Sequence, residues 1–247
     1  MKKVRLDTLL VERGLAPSRE RARALILAGV VTADGSVVAK AGASIPSTAE
    51  ISLARPDHPF VGRGGVKLAH ALDTFGIDVT GRRVLDVGAS TGGFTDALLQ
   101  RGAARVIAVD VGKGQLDWRL RQDPRVFVIE GTNARGLRRC DLPCPVDFVV
   151  VDVSFISLRQ ILPAVADIVS DGAEVVALVK PQFEAGRAEV GRKGLVRDRA
   201  VHDRVVGEVS ASAEGLGLKR VDMVPSAITG ATGNQEYFLR LRKQIGG

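Results

Sequence analysis

The chain has 247 residues, of which 45% are hydrophobic and 26% are charged, so it can form one large globular domain and a small one. Lys and Arg outnumber Asp and Glu by 35 to 28, and the net charge of +7 favours a polyanionic partner such as nucleic acid or an anionic membrane. This composition excludes disordered, collagen-like and coiled-coil proteins.

The spacing of apolar residues and cysteines excludes two further classes. Apolar runs such as Val175–Val179 are much shorter than the roughly 18 residues of a membrane-spanning helix, and Asp7 interrupts the amino terminus before a signal peptide can form. Cys140 and Cys144 have no further Cys or nearby His to complete a zinc site, so we expect them to be reduced. We therefore expect a cytoplasmic protein with no metal ion and no stable membrane partner.

Two short helices followed by strands are predicted at the amino terminus. Leucines at helical spacing begin at Leu6 and stop at Gly14, and Pro17-Ser18 can cap a second helix that ends at Gly29. The pair Asp34-Gly35, between two valine-rich runs, is typical of a tight hairpin turn. The pattern predicts a compact α+β unit over residues 1–54.

The second of these helices has a basic side. Arg19, Arg21 and Arg23 share an exposed side, while the apolar residues of the helix lie on the other. A solvated surface without a partner is one interpretation of such a helix, and a surface that binds RNA phosphates is the other.

The remainder of the chain predicts an α/β domain. Pro and Gly concentrate in residues 55–65, where we predict a linker, and residues 66–247 then alternate between strand-like and helix-like segments. Such alternation specifies a mainly parallel sheet with helices on both faces, a Rossmann-like architecture. The predicted segments are Val84–Gly88, Thr91–Arg101, Arg105–Asp110, Gln115–Gln122, Val126–Glu130, Asp147–Val153, Leu158–Val169 and Glu174–Lys180.

A glycine-rich turn follows the first of these strands and indicates a nucleotide-like ligand. In Val84–Phe94 the spacing is Gly-x-x-x-Gly-Gly, unlike the Gly-x-Gly-x-x-Gly of dinucleotide sites, and Asp86 lies within the preceding strand. A carboxylate at the mouth of the loop would repel pyrophosphate but suits an amino group and a sulfonium, which favours S-adenosylmethionine over NAD. An ordinary strand-to-helix connection is the alternative.

Polar residues at the ends of the next strands extend this site. Asp110 closes the second strand, where a carboxylate can accept hydrogen bonds from both hydroxyls of a ribose, and Asn133 follows the third, where its amide could meet the adenine edge. The predicted cofactor-binding residues are Asp86, Gly88, Ala89, Ser90, Thr91, Gly92, Phe94, Asp110, Asn133 and Asp152.

Lys180 and Asp152 are the candidate catalytic residues. Each ends a predicted strand, so both are expected at the edge where open parallel sheets bind ligands. A lysine buried near other cations becomes a better base, or it can hold a hydroxyl for attack on an electrophilic methyl group, while Asp152 orients the amine or the cofactor. A surface charge at a strand end is the alternative for each residue taken alone.

Several motifs resemble known families. Arg5-Leu6-Asp7, Ser18-Arg19 and Asp34-Gly35 resemble the S4 domain, in which a basic helix face contacts structured RNA. Five further blocks are similar to the TlyA family, which joins an S4 domain to an FtsJ/RrmJ-type methyltransferase domain and thereby implies a seven-stranded, class I methyltransferase sheet. Those blocks are Gly62–Leu68, Asp86–Thr95, Asp152–Ser157, Lys180–Glu184 and Gly233–Phe238.

The TlyA resemblance implies methylation of cytidine 2′-hydroxyls in ribosomal RNA by a Lys-Asp-Lys-Glu tetrad, which falls on Lys67, Asp152, Lys180 and Glu236. A second cation at Lys67 would favour a neutral Lys180, and Asp152 and Glu236 would fix the Lys180 amine. No metal is required. Family members with short termini are associated with the large ribosomal subunit alone, so we expect large-subunit RNA as the substrate.

RNA contacts are predicted on both parts of the chain. Besides the S4-like helix face, the glycine-rich basic segment 185–199 directly follows the Lys180 motif and could grip the RNA backbone as a flexible loop. An unremarkable solvated loop is the alternative. The predicted RNA-binding residues are Arg5, Arg19, Arg23, Lys40, Arg63, Arg187, Arg192 and Lys193.

Other functions remain open on the sequence. The S4-like unit and the positive charge would suffice for a non-catalytic RNA-binding or ribosome-assembly factor. A membrane-active haemolysin is a second alternative, because relatives of the family carry that description, but no strongly amphipathic lytic helix supports it. Transfer or messenger RNA could replace ribosomal RNA as the substrate.

Overall fold

A computed structural model describes residues 3–16, 18–40, 42–53 and 58–245. Pro17 and part of the predicted 55–65 linker lie outside the described residues, as does the side chain of Lys193. Within the described part, no helix is both long and apolar enough to cross a membrane. Nor do its His, Cys, Asp and Glu side chains form a group of three or more that could hold a metal ion.

The amino-terminal unit packs two helices against short antiparallel strands. Strand β1 pairs with β4, and β2 pairs with both β3 and β5. The predicted hairpin turn is present, since Asp34 and Gly35 both have positive φ angles, 49° and 76°, as a tight two-residue turn requires. The elements are β1 Lys3–Arg5, α1 Leu6–Glu12, α2 Arg19–Leu27, β2 Val31–Ala33, β3 Ser36–Val37, β4 Ser44–Pro46 and β5 Ile51–Leu53.

The larger unit is built on a seven-stranded sheet of order β11-β12-β10-β9-β6-β7-β8, in which β12 runs antiparallel to both of its neighbours and the other six strands share one direction. This confirms the predicted fold class. The strands are β6 Arg83–Val87, β7 Arg105–Asp110, β8 Val126–Glu130, β9 Phe148–Val151, β10 Glu174–Val179, β11 Leu218–Pro225 and β12 Tyr237–Lys243. The helices are α3 Gly64–Phe75, α4 Gly93–Gln100, α5 Trp118–Gln122, α6 Leu162–Ile168, α7 Pro181–Glu184 and α8 Arg199–Glu214.

One predicted helix differs from the structure. The segment Leu158–Val169 divides into a 3₁₀ turn at Leu158–Gln160 and helix α6. The reason is Pro163, which has no N–H to donate to the carbonyl of Arg159 and therefore cannot continue a helix that starts at 158.

Alternation along the strands builds two hydrophobic layers. Val84, Phe148 and Val176 face helices α3 and α4, while their neighbours Leu85, Val149 and Ala177 face α6 and α8. Strand β10 is buried along its whole length, as expected for a central strand covered on both faces. The order of strands reverses at β6, so the loop after β6 lies at the topological switch point where open α/β sheets bind ligands.

Replacing Gly207 by Ala should stabilise the protein. Gly207 lies exposed inside α8, and outside the backbone of that helix no described atom lies within 4 Å of the position an Ala Cβ would take. Alanine restricts the unfolded chain more than glycine, so the free energy of unfolding in urea should rise by about 0.5–1 kcal/mol. Gly76, which ends α3 with a φ of +60°, is the opposite control, because Ala is strained there and should lower stability. A destabilised Gly207→Ala protein would contradict the helix assignment.

Candidate active site

The register of the sheet brings the predicted catalytic residues to one edge. Val87 pairs with Val151 and Val179 pairs with Tyr237, so Gly88, Asp152, Lys180 and Glu236 are each one residue beyond a paired position. Because side chains alternate between faces, the last three share the α3/α4 side of the sheet with Val176, Leu178 and Phe238. Lys67 approaches the same side from α3.

The side chains of the predicted tetrad, Lys67, Asp152, Lys180 and Glu236, form two ion pairs. Lys180 Nζ lies 2.6 Å from Asp152 Oδ1, and Lys67 Nζ donates a 2.6 Å hydrogen bond to Glu236 Oε2. Lys67, Lys180 and Glu236 are only 8%, 9% and 2% exposed, so each charge needs its partner nearby. The expectation that Glu236 fixes the Lys180 amine is wrong in this structure, since its carboxylate bonds to Lys67 instead. The catalytic roles of all four stay a prediction.

The approach of Lys180 to Asp152 is an ionic contact rather than a hydrogen bond. Asp152 Oδ1 accepts no hydrogen bond of acceptable angle within the described residues, although it lies 2.6 Å from the ammonium. The hydrogen bond of Lys180 Nζ goes to Ser154 Oγ, at 2.7 Å.

Glycines allow the elements around these pairs to come close. Gly88 has a φ of +89°, and a Cβ there would lie 2.3 Å from the carbonyl oxygen of Asp152. A Cβ on Gly93 would lie 2.9 Å from the backbone nitrogen of Gly65, and one on Gly230 would lie 2.3 Å from Glu236 Oε1. Larger residues at these positions would separate the glycine loop, the start of α3 and the Glu236 carboxylate.

A two-lobed cavity lies next to the Lys180–Asp152 pair. The larger lobe, about 440 Å³, is lined by Asp110, Asn133, Ser154 and Phe155 among others. The smaller, about 140 Å³, is lined by Gly64, Asp152 and the loop from Gly88 to Phe94 with the exception of Gly92. Gly88 and Ser90 line both lobes, so the glycine loop lies between the two lobes. The larger lobe is within the size range of small-molecule sites.

Most predicted cofactor residues therefore line one cavity, and two of them have additional partners. Asp110 accepts hydrogen bonds from the backbone of Ser90 at 2.8 Å and of Gly112 at 2.7 Å, which fixes its carboxylate at the cavity wall. Asn133 Oδ1 accepts from the backbone of Arg135 at 3.1 Å. Gly92 does not line either lobe, because its Cβ direction faces Leu116 and Leu120.

The predicted position of Asp86 is wrong. Its side chain is fully buried beneath the loop and lines neither lobe, since it shares the side of β6 that faces α4. Asp86 Oδ2 accepts a 2.6 Å hydrogen bond from Thr95, while Oδ1 has no partner in the described structure. Burial, with a smaller contribution from the negative charge of Asp152, raises the pKa of Asp86 to about 7.

Sequence reasoning missed an aromatic pair at the cavity rim. Phe155 is 91% exposed, has a φ of +64°, and lies with its ring centroid 5.1 Å from that of Phe183. A non-glycine residue in the left-handed region is strained, and strained, exposed aromatic residues are typical of functional sites. The sequence feature that could have indicated Phe155 is its position three residues after Asp152.

The predicted RNA-binding residues of the S4-like unit surround one buried carboxylate. Asp7 is 0% exposed and receives Arg5 at 2.7 Å and both Arg19 and Arg23 at 3.4 Å, while about half of each arginine side chain stays in solvent. Hydrogen bonding to Arg5 holds the pKa of Asp7 well below its usual range. Lys40 is exposed close by, in the loop whose Gly42 packs against the Arg5 guanidinium.

Arg21 does not belong to this surface. It points to the opposite side of α2 and pairs with Asp117 of the larger unit at 2.5 Å. Asp117 is buried, and its backbone N–H donates to the carbonyl of Thr91 in the glycine loop. The prediction that Arg21 lies with Arg19 and Arg23 is wrong because residues two apart on a helix face different sides.

The basic segment after α7 is folded against the core. The side chain of Asn234 accepts from Val196 N at 2.9 Å and donates to Gly194 O at 2.7 Å, and His202 contacts the Val196 carbonyl at 2.8 Å. These contacts differ from the flexible loop predicted for the segment. Its Arg187 and Arg192 remain exposed. Arg63, exposed at the start of α3, donates to Thr229 O at 2.9 Å.

Replacing Asp86 by Asn should change how stability depends on pH. The folded protein holds the Asp86 proton up to about pH 7, whereas an unfolded Asp releases it near 3.8, so this group stabilises the fold at low pH and loses that contribution as the pH rises. Between pH 4 and pH 7, the free energy of unfolding of the wild type should fall relative to that of Asp86→Asn by roughly 4 kcal/mol, measured by urea unfolding. Asp167→Asn, at an exposed position, is the control. If the free energy of unfolding of the wild type instead rose relative to that of Asp86→Asn as the pH increased, the raised pKa of Asp86 would be contradicted.

Comparisons with known proteins agree with this arrangement. Residues 60–243 match the FtsJ-like methyltransferase family, and residues 4–51 match the S4 domain. The 16S/23S rRNA (cytidine-2′-O)-methyltransferase TlyA of Mycobacterium tuberculosis is 49% identical over 98% of this chain and 91% of its own. Hemolysin A of Brachyspira hyodysenteriae is 39% identical over 95% of this chain and 98% of its own.

A solved structure described as a candidate hemolysin of Streptococcus thermophilus is also similar, with 44% identity and a TM-score of 0.77 over all of this chain and 90% of that one. These similarities extend over both units of the chain. The protein therefore belongs to the TlyA family, in which an S4 domain precedes an FtsJ-like methyltransferase domain.

Proposed function

We propose that this protein transfers a methyl group from S-adenosylmethionine to the 2′-hydroxyl of a cytidine in ribosomal RNA, with Lys180 as the general base. The observation that carries the proposal is the Lys180–Asp152 pair, whose Asp152 lines the smaller cavity lobe and whose Lys180 donates to Ser154 of the larger lobe, together with the Lys67–Glu236 pair on the same side of the sheet. The activity in the name of the M. tuberculosis relative supports the choice of acceptor.

The cavity residues fit S-adenosylmethionine. Asp110 would accept hydrogen bonds from the ribose hydroxyls and Asn133 would meet the adenine in the larger lobe, while the loop Gly88–Phe94 would surround the methionine portion. Asp152 lines the smaller lobe, where a carboxylate suits the amino group or the sulfonium. When bound, the cofactor supplies an electrophilic methyl carbon on a positively charged sulfur.

The two ion pairs have different roles in the proposed reaction. Lys180 takes the proton of the ribose hydroxyl at Nζ, and Asp152 holds its amine in place. Lys67 adds a second cation on the same side of the sheet, and Glu236 holds Lys67 in place. Positioning of the hydroxyl accounts for most of the rate enhancement, because transfer from a sulfonium needs in-line approach.

An RNA substrate suits the surfaces around the site. The arginines around Asp7, with Lys40, form one basic surface, and Arg63, Arg187 and Arg192 lie exposed on the methyltransferase domain. Phe155 and Phe183 offer stacking faces at the rim for an unpaired base. The M. tuberculosis relative is named for both 16S and 23S RNA, and a Campylobacter jejuni relative, 32% identical over 72% of this chain, is named for 23S RNA alone. We infer large-subunit RNA as the substrate because 23S RNA is common to both names, and a ribosomal substrate implies action in the cytoplasm.

Replacing Lys180 by Ala should abolish methyl transfer without abolishing cofactor binding. Purified protein is incubated with unmodified large and small ribosomal subunits and methyl-labelled S-adenosylmethionine, and the modified nucleotide is mapped by mass spectrometry. Loss of a general base lowers rates about 10²–10⁴-fold, so the single-turnover rate of Lys180→Ala should fall by that factor. Binding of S-adenosylmethionine, measured by calorimetry, should change less than about threefold, as that of the exposed-site control Lys219→Ala should.

The same experiment separates the alternatives. If wild-type protein binds subunits but labels no RNA under any subunit condition, it is a binding or assembly factor and the proposal fails. Label in transfer or messenger RNA alone would change the substrate class. Release of dye from anionic liposomes at low protein concentration would instead support the hemolysin names of the relatives.

Asp7→Asn should weaken RNA binding although it makes the protein more positive. Without the carboxylate, the guanidiniums of Arg5, Arg19 and Arg23 lose their common partner and repel one another, so the affinity for ribosomal subunits should fall about tenfold in filter binding. Glu12→Gln removes the same charge from an exposed site of the S4 domain and should raise affinity slightly. If Asp7→Asn, shown to be folded by circular dichroism, binds more tightly in the same way, only net charge matters on this surface.

A further inference from the structure

Two oxygen atoms lie close to the amine of Lys180, on different sides of the cavity. Nζ donates a hydrogen bond to Ser154 Oγ at 2.7 Å and lies in ionic contact with Asp152 Oδ1 at 2.6 Å. Asp152 lines the smaller lobe and Ser154 lines the larger one. Lys180 itself lines neither lobe, and its amine contacts one lining residue of each.

The geometry of an amine gives Ser154 a specific role. A neutral lysine nitrogen is tetrahedral and carries two N–H bonds and one lone pair, and it rotates freely about the Cε–Nζ bond. The hydrogen bond to Ser154 fixes one N–H and leaves two positions for the lone pair. The negative charge of Asp152, 2.6 Å from Nζ, repels the lone pair from one of these positions, so the lone pair takes the other.

The loop that carries Ser154 is anchored to the element that carries Lys180. Ser157 Oγ donates to Glu184 Oε2 at 2.6 Å, and the backbone of Leu158 donates to Glu184 Oε1 at 2.7 Å. Glu184 is buried at the end of α7, which begins directly after Lys180. Ser154 and Lys180 are thus each a few residues from one shared anchor, which fixes their separation.

We propose that Ser154 is a positioning residue that, together with Asp152, directs the lone pair of Lys180 toward the acceptor hydroxyl. In the reaction the hydroxyl oxygen forms its bond to the methyl carbon, the electron pair of the broken carbon–sulfur bond stays on sulfur, and the hydroxyl proton goes to that lone pair. The inference rests on the proposed function and extends it to a residue outside the tetrad.

The test compares Ser154→Ala, Ser154→Thr and Ser170→Ala. Ser154→Ala removes the hydrogen-bond acceptor of Lys180, and Ser154→Thr keeps a hydroxyl. Ser170→Ala removes a hydroxyl from an exposed position before β10, at the end of that strand opposite to Lys180. Single-turnover transfer to unmodified large subunits is measured against pH, together with the affinities for S-adenosylmethionine and for subunits.

Ser154→Ala should lower the plateau rate about 10–100-fold with both affinities changed less than about twofold, because orientation and not binding is lost. Its acid limb should move to lower pH, since a hydrogen bond that stabilised the charged ammonium is gone. Ser154→Thr should recover most of the rate, and Ser170→Ala should keep the wild-type rate and pH profile. A wild-type plateau and acid limb in Ser154→Ala, or an equally inactive Ser154→Thr with intact binding, would overturn the proposal.

A second readout does not depend on activity. Competitive labelling of lysines with acetic anhydride at a series of pH values, followed by peptide mass spectrometry, reports the midpoint at which each amine becomes reactive. In Ser154→Ala the Lys180 midpoint should move down by roughly half a pH unit, about a threefold change in the ratio of charged to neutral amine, while Lys67 should not move. If the wild type methylates no RNA, the proposed function fails, and an unchanged Lys180 midpoint would separately refute the role of Ser154.

Discussion

Two lysine–carboxylate pairs, buried at one edge of the sheet, are the interaction on which the rest of the site depends. Each pair joins different elements: Lys180 and Asp152 follow β10 and β9, and Lys67 of α3 meets Glu236 at the start of β12. Buried charges need close partners, so a shift of any of these elements would leave a charge unpaired at a cost of several kcal/mol. The pairs therefore fix where α3 and β12 lie relative to the central strands, and this arrangement determines the shape of the cavity.

Glycine supplies the second condition, which is steric. The contact of Gly88 with the Asp152 carbonyl, and that of Gly230 with the Glu236 carboxylate, each bring backbone to a distance that no side chain permits. Both contacts end on a member of these two ion pairs. Charge pairing and close backbone approach thus select the same geometry, and this agreement explains why the glycine motifs and the charged motifs occur together along the chain.

The sequence predicts those parts of the site that follow from strand ends. Asp152 and Lys180 are recognisable because each closes an apolar run, and parallel strands end at one edge. Lys67 and Glu236 are not recognisable in the sequence, because 169 positions separate them and each alone looks like a solvated charge. The burial of Asp86 depends on which face of β6 meets α4, and the role of Asp7 depends on arginines from β1 and α2 converging on it. Such features can be recognised only in the folded structure.

The balance of charge in these two ion pairs also bears on the order of events in the proposed reaction. Two cations and two carboxylates sum to zero, and a low-dielectric site disfavours any unpaired charge among them. Asp152 faces both Lys180 and the smaller lobe. In the proposed function, a positively charged methyl donor bound in that lobe would be a further cation next to Asp152. We therefore expect the donor to bind before Lys180 acts as a base, so that the buried group is not left with an unpaired carboxylate.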